Sequence, residues 1–404
     1  MIKIQSFEAG KGDAFLVSFG KEEKTQKHIM IDMGFGTTYS SREQNKFTIK
    51  NELIKLKRKI IDLLVITHID SDHINGALKF IKENGEFHKI IKVNEVWYNS
   101  YRHLQFSKEK KKNISTEEIA LLNSIIQQNI PKEEETGYID ISSYEQGSSF
   151  ARYLYEYKYN WNSQFNNKTI LIEKDIISKK IGDINIILLS PNEKKLNELA
   201  EDWLNELENT KYDFTISDES IFDDAFEFFN MYRKEQDSNY SPISESDELD
   251  FEKLAQIESK DSSSTNGSSI AFIIEYDKKK LLFLGDAHED IIYENLKNYK
   301  KRGNNLNFDL VKLSHHGSNE NISNRLLSII ESKRFLISTE GIYYKHPHIE
   351  AISKIVMKKT NYTKKIIFNY DLPIISTLNN AIIEDKENKY NHEAIYTQKV
   401  VIDD

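Results

Sequence analysis

The stretch Thr67-His68-Ile69-Asp70-Ser71-Asp72-His73 places two imidazoles and two carboxylates within six positions, directly after the apolar run of residues 60–66. A buried strand delivers its last residues to the edge of a sheet, where a tight loop can direct alternate side chains toward one point. Histidine nitrogen together with aspartate oxygen suits Zn²⁺, Mn²⁺ or Fe²⁺. The stretch therefore predicts a metal site at the end of a strand.

A second interpretation of the same loop is the start of a solvated helix. Asp72 could cap a helix over residues 74–81 with its side chain. Capping needs one polar residue, whereas this loop supplies four potential ligands in alternation, so the metal site is favoured. Both interpretations can hold together.

Composition limits the class of protein. A chain of 404 residues can bury a large core as one elaborated domain or two ordinary ones. With 39% apolar and 29% charged residues and no run of about 18 apolar residues, we expect a soluble, cytoplasmic protein without a membrane partner. The chain has no cysteine, so any metal must be held by His, Asp and Glu.

The formal net charge of -9 is unevenly distributed. Residues 201–261 carry 19 acidic and five basic side chains, a net charge of -14, which leaves +5 for the rest of the chain. A mildly basic body permits substrates that carry phosphate without proving them.

The order of predicted elements indicates an α/β fold. Alternating strands occupy residues 2–19 and 27–31, a hairpin is predicted over 269–284, and strands alternate with helices from 308 to 369. Strands cluster at both ends of the chain, with helical patterns between them. This arrangement predicts two packed sheets with helices outside.

Histidine placement extends the first site. Of 11 histidines, six lie in three short loops that each follow a predicted strand: His68, His73, His315, His316, His346 and His348. Asp32 and Asp286 also follow apolar runs. If these strand ends meet at one rim, the ligands suffice for two metals. Taken alone, each later pair could instead be buried histidines beside a turn.

The chain resembles the metallo-β-lactamase superfamily, and more narrowly the nuclease-type domain of DNA-uptake competence proteins and their free-standing relatives. The resemblance covers roughly residues 1–100 and 266–370. Its motifs are Gly10-Lys11-Gly12-Asp13-Ala14, Ile31-Asp32-Met33-Gly34, Thr67 to Gly76, Asn266-Gly267-Ser268-Ser269, Leu284-Gly285-Asp286, Leu313 to Ser318, and Gly341 with His346-Pro347.

This resemblance implies a four-layer αββα sandwich over residues 1–404, with two divalent ions (Zn²⁺ or Mn²⁺, with Mg²⁺ possible) at one edge of the sheets. The implied metal ligands are His68 and Asp70 for one ion, Asp72, His73 and His346 for the other, Asp286 as the bridge, and His315 as a ligand or a group that stabilises the leaving oxygen. The implied residues behind the ligands are Asp13, Asp32, Asn266 and Ser268.

Two departures from the commonest superfamily pattern affect the site. Position 70 is Asp where the usual motif has His, which makes Mn²⁺ or Mg²⁺ more plausible beside Zn²⁺; the competence-type branch shares this Asp. Many members also have an isolated His between the first loop and the Gly-Asp strand. Here only His88 and His103 lie in that interval, and neither lies in a recognisable motif.

The predicted function is metal-dependent hydrolysis, most plausibly by a phosphodiesterase or nuclease acting on DNA or RNA through a metal-bound hydroxide. Asp72, His315 and His316 are the candidate catalytic residues, and the lysine-rich run 108–112 could contact phosphates. One alternative is a small-molecule hydrolase for lactones, thioesters or cyclic nucleotides. Another is a subunit that acts only within a multi-protein assembly, such as a defence system.

Two helical insertions are predicted. Residues 100–165 are helical and aromatic, and residues 196–262 are helical and acidic. The acidic insertion is either a lid packed on the sandwich or an element that binds a protein partner or inhibits the enzyme. Its apolar residues are too many for a purely disordered tail.

Overall fold

The computed structural model describes residues 1–42, 47–104, 114–129, 148–173, 177–212, 214, 219–232, 250–342, 345–385 and 389–403. The lysine-rich run 108–112 and parts of both predicted insertions lie outside these ranges. Among the described helices, none has the length and apolar character needed to cross a membrane.

The strands of the described ranges are short and are spread along the whole chain. In order they are β1 Ile2–Ser6, β2 Ala14–Phe19, β3 Lys27–Met33, β4 Ile60–Ile61, β5 Leu63–Val65, β6 Lys92–Val93, β7 Val96–Trp97, β8 Ser178–Ile181, β9 Ile184–Ser190, β10 Ala271–Tyr276, β11 Lys279–Phe283, β12 Asn307–Phe308, β13 Leu310–Lys312, β14 Glu331–Ser332, β15 Arg334–Ile337, β16 Lys364–Phe368, β17 His392–Tyr396 and β18 Lys399–Ile402.

The helices of the same ranges lie mostly between strands. They are α1 Gly36–Tyr39, α2 Ile49–Lys55, α3 Ser71–Asn84, α4 Thr116–Asn129, α5 Phe150–Glu156, α6 Glu193–Asn209, α7 Ser220–Tyr232, α8 Phe251–Leu254, α9 Ser264–Gly267, α10 Glu289–Lys301, α11 Asn324–Ile329, α12 Ile349–Met357 and α13 Pro373–Glu384. Short 3-10 helices occupy Tyr101–Leu104, Ser163–Phe165 and Ser314–Gly317.

Two large sheets form the centre of the fold. Among the described residues, one sheet has the strand order β18-β1-β2-β3-β5-β7 and the other has the order β17-β16-β15-β13-β11-β10-β9-β8. β3, β5 and β7 are parallel, as are β11, β13 and β15. Because parallel strands end at the same edge, the loops after these strands meet on one side of the molecule.

Alternation along β2 explains how the two sheets pack. Phe15, Val17 and Phe19 contact the second sheet, and the rings of Phe15 and Phe283 lie 5.7 Å apart in an edge-on arrangement. Leu16, between them, points into the other apolar cluster with α3. Both faces of the strand are therefore buried, as expected for a sheet inside a sandwich.

Helices cover the outer face of each sheet. α2, α3, α5, α6 and α7 pack on the first sheet, and α10 to α13 pack on the second. The result is the predicted four-layer αββα sandwich with helical insertions. The predicted helix at residues 74–81 is longer, running from Ser71 to Asn84, so Asp72 lies within its first turn and Asp70 holds the N-cap position without a side-chain cap bond.

The described parts of the two predicted insertions pack against each other. Trp203 of α6 is 1% exposed, and its ring lies 5.6 Å from Phe226 of α7 and 6.3 Å from Tyr101. The acidic residues of α7 that face this contact are buried as well. Asp223 pairs with Arg102, Asp224 accepts a hydrogen bond from the Ser149 amide, and Glu227 accepts bonds from the amides of Phe150 and Ala151.

These contacts bear on the two interpretations of the acidic insertion. The carboxylates of Asp223, Asp224 and Glu227 are engaged by α5 and the neighbouring 3-10 helix, so a partner or a basic groove would have to compete with buried contacts. The packing of α6 and α7 favours a lid that forms part of the sandwich. Whether the insertion also binds a protein partner stays a prediction.

We expect Trp203→Ala to lower the free energy of unfolding by about 3–5 kcal/mol, the range typical of removing a large buried aromatic side chain. The matched control is Phe87→Ala, because the Phe87 ring is 81% exposed and should contribute little. Chemical denaturation of both variants measures the difference. Equal destabilisation of the two variants would contradict the packing described for α6.

Candidate metal centre

The candidate site lies where five strands end. Asp32 is near the end of β3, His68 follows β5, Asp286 follows β11, His316 follows β13, and Ser338 follows β15. These strands belong to both sheets, and their shared direction brings the loops to one edge of the sandwich. The sequence prediction that the strand ends converge is consistent with this arrangement.

The centre of the site is one oxygen of Asp286. Asp286 Oδ2 lies 3.4 Å from His316 Nε2, 3.5 Å from His73 Nε2 and 3.9 Å from His68 Nε2. All four side chains are almost completely buried. Spacings of 3–4 Å between donor atoms are those of ligands that share one ion with bonds of about 2.0–2.2 Å.

The donor atoms fit a metal centre because they lack other partners. Within the described ranges, the Nε2 atoms of His68, His73 and His316 accept or donate no hydrogen bond, although each is buried. Most buried polar atoms have a hydrogen-bond partner, so three nitrogens that lack one and converge on a single carboxylate oxygen fit the ligands of an ion. Among the described residues, four sets of ligand atoms, each lying within 4.8 Å of one another, include these histidines: His68, His73 and Asp286; Asp72, His73 and His316; Asp13, Asp286 and His316; Asp13, Asp32 and His73.

The Nδ1 atoms of the same three histidines contact other groups of the protein. His73 Nδ1 lies 2.9 Å from Asp32 Oδ2, and His316 Nδ1 lies 2.9 Å from the carbonyl of Ser338. His68 Nδ1 lies 3.1 Å from the Ser269 hydroxyl. Such contacts fix ring orientation, and an Nδ1–H donated to Asp32 or Ser338 leaves Nε2 as the ligating atom.

Asp32 holds the ligand loop as well as the ring. Its carboxylate accepts bonds from the Thr67 amide (2.7 Å) and the Thr67 hydroxyl (2.8 Å) in addition to its contact with His73. Asp32 has φ of 52°, a left-handed conformation that is uncommon outside glycine. These contacts tie the ligand loop and the His73 ring to the end of β3; the role of Asp32 behind the ligands stays a prediction.

The charges of the centre are strongly coupled. Burial alone would raise the pKa of the Asp286 carboxyl, but His316 and His73 hold it well below its ordinary value. Burial opposes protonation of His73, whereas Asp286 and Asp32 raise its pKa well above the usual value. A carboxylate that its neighbours hold ionised is ready to bind a cation, and a metal ion would compete with protons for the same imidazoles.

The first loop places its remaining carboxylates on two sides of this centre. Asp70 Oδ2 lies 3.4 Å from His68 Nε2 and accepts a bond from the Thr265 hydroxyl at 3.3 Å. Asp72 Oδ2 lies 3.8 Å from His316 Nε2. The structure thus brings together the predicted ligands His68, Asp70, Asp72, His73 and Asp286; their binding of metal stays a prediction.

The three later histidines take different positions from those implied by the resemblance. His316 joins the centre, whereas His315 lies in an outer layer, with Nδ1 3.0 Å from Asn321 Oδ1 and 3.5 Å from Asp261 Oδ2. His346 is buried, its ring 4.8 Å from that of His315, and it belongs to none of the donor sets found among the described residues. The geometry therefore favours His316 over His346 and His315 as a ligand.

The other predicted residues surround the centre. Asn266 donates to Asp261 at 2.8 Å, and Ser268 donates to the Thr265 carbonyl at 2.6 Å, so both shape the loop that contacts Asp70. Neither His88 nor His103 approaches the donor sets of the described chain: the His88 ring packs on Tyr159, and His103 packs on Trp161.

Sequence reasoning missed Lys312 and Asp261. Lys312 is fully buried and pairs with Asp13, and Asp261 links Asn266, Asn321 and His315. A lysine inside the apolar stretch of residues 308–313 was the available signal, because a buried lysine needs a charged partner. Asp261 carried no comparable signal.

We expect Ser269→Ala to weaken metal binding by roughly 10–100-fold, the usual cost of losing a group that orients a ligand. The Ser269 hydroxyl contacts His68 Nδ1 and accepts a bond from the Asp286 amide at 3.0 Å, so it orients two donors together. Ser353→Ala is the matched control, because its buried hydroxyl donates to the Ile349 carbonyl within α12 at 2.7 Å. Calorimetric titration with Mn²⁺ measures the affinity of each variant. Equal Mn²⁺ affinities for Ser269→Ala and the control would contradict the role of Ser269.

Comparison with protein-family models gave one match. Residues 9–131 match the model described as Metallo-beta-lactamase superfamily. This match supports the predicted superfamily domain, whose members are usually metal-dependent hydrolases. A comparison with curated proteins gave no significant match.

Similar solved structures are distant. The metallo-beta-lactamase fold protein YhfI from Bacillus subtilis is 7% identical with a TM-score of 0.36, and the match covers 98% of this chain and 97% of YhfI. CmlA, a diiron beta-hydroxylase from Streptomyces venezuelae, is 9% identical with a TM-score of 0.36, and the match covers 98% of this chain and 53% of CmlA. The chain spans about half the length of CmlA.

Proposed function

We propose that this protein is a metal-dependent phosphodiesterase that acts as a nuclease on DNA or RNA. The match of residues 9–131 to the metallo-β-lactamase superfamily model supports a metal-dependent hydrolase. The observation that carries the proposal is the convergence of three unpartnered imidazole nitrogens of the described chain, from His68, His73 and His316, on one oxygen of Asp286. A buried site of this composition suits divalent ions and little else.

The ligands divide into two sides around Asp286. His68 and Asp70 would hold one ion, Asp72, His73 and His316 would hold the other, and Asp286 would be shared. When bound, such ions polarise a phosphoryl oxygen and lower the pKa of coordinated water toward neutrality. The protein keeps the donors fixed through Asp32, Ser269 and Ser338, so little reorganisation is needed during the reaction.

Three features support a phosphodiester over a carbonyl substrate. The donor set is rich in carboxylates, with Asp70, Asp72 and Asp286 beside three histidines, and such hard donors suit Mn²⁺ or Mg²⁺. The remainder of the chain outside residues 201–261 is mildly basic. Lys11 also places a positive charge near the centre: burial would raise the pKa of Asp72, but Lys11 and two histidines lower it to about 2. This lysine is suited to meet an anionic substrate.

His315 is the candidate for assisting the leaving oxygen. Its Nδ1 lies 3.0 Å from Asn321 Oδ1 and 3.5 Å from Asp261 Oδ2, and these contacts hold the ring beside the centre. The His315 ring lies 5.9 Å from that of His316, so the residue is beside the centre without belonging to it. The two neighbouring histidines thus take separate roles, one as a ligand and one toward the substrate.

The test is hydrolysis by metal-stripped protein supplied with Mn²⁺, Zn²⁺ or Mg²⁺. Single-stranded DNA, double-stranded DNA and RNA are the polymer substrates, with a lactone, a thioester and a cyclic nucleotide in parallel. The double variant Asp72→Ala with His73→Ala should lose all metal-dependent cleavage. Asp183→Ala with His88→Ala is the matched control, because both residues lie outside the donor sets of the described chain.

Each result has a defined meaning. Polymer cleavage that vanishes in the double variant supports the nuclease. Turnover of a small substrate alone would move the assignment to the small-molecule hydrolase. No turnover by protein that binds metal would favour a subunit that acts only with its partners, to be tested by copurification with neighbouring gene products.

A further inference from the structure

Lys312 lies beneath the candidate metal centre. It is the last residue of β13, its side chain is 1% exposed, and its ammonium group contacts the carboxylate of Asp13. The same nitrogen lies 4.0 Å from Asp286 Oδ1 and donates to the Gly285 carbonyl at 3.3 Å. A lysine therefore lies against the very carboxylate on which the three imidazoles converge.

The two oxygens of Asp286 face different partners. Oδ1 faces the ammonium group of Lys312, and Oδ2 faces the imidazoles of His73 and His316. Asp13 faces the same ammonium, although its other oxygen lies 3.4 Å from His316 Nδ1. Lys312 thus pairs directly with Asp13 and lies 4.0 Å from the oxygen of Asp286 that the imidazoles do not face.

Physical chemistry explains what this charge does before a metal arrives. Asp13, Asp72 and Asp286 are buried close together, and buried carboxylates repel one another unless a positive group lies among them. A buried ammonium is itself costly unless paired, and here two carboxylates and a carbonyl surround it. Lys312 and the carboxylates therefore stabilise one another in the metal-free protein.

The same charge opposes a divalent cation. Two positive groups several ångströms apart in a poorly solvated site repel each other strongly. Lys312 should therefore stabilise the metal-free form more than the metal-bound form. We therefore expect Lys312 to help the site fold before metal binds and to lower the affinity of the folded site for the metal.

We propose that Lys312 is a positioning residue, a fixed internal cation that lets the carboxylate-rich centre fold before metal binds. This inference rests on the metal centre of the proposed function, and it is independent of the substrate. It assigns Asp13 as the counter-ion of Lys312 and not as a ligand.

The experiment compares melting temperatures of metal-stripped and Mn²⁺-saturated protein. In Lys312→Met, we expect the metal-stripped form to melt at a much lower temperature, and the shift produced by Mn²⁺ to grow about twofold over wild type. Calorimetric titration should give Mn²⁺ affinity about tenfold tighter than wild type, because the repulsion from the ammonium is gone.

Lys354→Met is the matched control. Lys354 is another buried lysine, which donates to Asn319 at 2.7 Å and to the Ile322 carbonyl at 2.8 Å, away from the donor sets of the described chain. Its loss should lower both melting temperatures equally and leave the Mn²⁺ shift and affinity unchanged.

A second variant covers the case in which Lys312→Met folds only with metal. Lys312→Met combined with Asp13→Asn removes both partners of the buried pair, so the metal-stripped double variant should melt higher than Lys312→Met alone. The inference about Lys312 is wrong if Mn²⁺ raises the melting temperature of Lys312→Met by no more than it raises that of wild type. It is also wrong if adding Asp13→Asn does not raise the melting temperature of metal-stripped Lys312→Met. Either result leaves the metal centre of the proposed function standing. If wild type shows no shift with any divalent ion, the metal centre of the proposed function fails with it.

Discussion

Asp286→Ala is expected to abolish metal-dependent hydrolysis, with a loss of more than about 100-fold, since loss of a group that only orients a ligand already costs 10–100-fold. Asp286 contributes an oxygen within 3.9 Å of three imidazole nitrogens, so its removal breaks both sides of the centre together. We also expect the variant to bind no divalent ion tightly. Metal content after dialysis and cleavage rate are the two measurements.

The control for this variant is Asp290→Ala. Asp290 follows Asp286 by four residues, pairs with Lys195 at 3.3 Å, and is 61% exposed. It should retain both metal and activity. Full activity in Asp286→Ala, or equal losses in both variants, would contradict the assignment of Asp286 as the shared ligand.

Gly12→Ala is expected to reduce hydrolysis by about 100-fold, because displacements near 1 Å in an active site have costs of that order. A Cβ at Gly12 would lie 1.8 Å from the backbone oxygen of Asp72, so the β1–β2 loop and the ligand loop cannot keep their present contact. The change should also lower the free energy of unfolding by about 1–3 kcal/mol.

Gly36→Ala provides the comparison. A Cβ at Gly36 would meet Asn75 and Lys79 side chains at 3.4 and 3.5 Å, which are ordinary contacts, and it lies beside the same helix α3. Gly36→Ala should therefore keep near-normal activity and stability. Normal hydrolysis by Gly12→Ala would show that the loop contact does not hold Asp72 in place.

Much of the fold could be predicted because its signals are local. The alternation of residues 2–6 determines which face of β1 is fully buried, whereas the apolar runs of β2 and β5 are buried on both faces. The parallel strand ends then place Asp32, His68 and Asp286 at one edge. These predictions depend only on how apolar and polar residues alternate along each strand, which can be read from neighbouring residues in the sequence.

Element boundaries were less accurate, for physical reasons that differ from place to place. The pattern of residues 93–98 predicts one strand, but the structure has β7 at Val96–Trp97, and Lys92–Val93 pairs separately with β4. Asn94 and Glu95 interrupt it, because Asn94 N bonds to the Ile61 carbonyl and Glu95 contacts Ser163 of the aromatic insertion. Such tertiary partners leave no local trace in the sequence.

The choice among the later histidines also depended on three-dimensional information. His315 and His316 are adjacent, and both have positive φ values of 46° and 54°. In this tight turn the two rings diverge, one toward Asp286 and one toward Asn321. Sequence spacing alone does not decide which ring faces the centre: the resemblance implies His346 as a ligand and His315 as a ligand or a group that stabilises the leaving oxygen, and His316 is predicted only as catalytic.

Long-range pairing was beyond sequence reasoning. Asp13 and Lys312 are separated by nearly the whole chain, and only the packing of the two sheets brings them together. Likewise, the sequence identifies residues 196–262 only as helical and acidic, whereas the structure places Asp223 and Glu227 against the aromatic insertion. Acidic residues on a helix look the same in the sequence whether they face solvent or a buried partner.

The most direct test of the account is anomalous diffraction at the manganese edge from crystals grown with Mn²⁺. The account predicts two peaks at the shared edge of the sheets, one beside His68 and Asp70 and the other beside Asp72, His73 and His316, with Asp286 between them. No peak at this edge, or peaks confined to surface carboxylates, would contradict it.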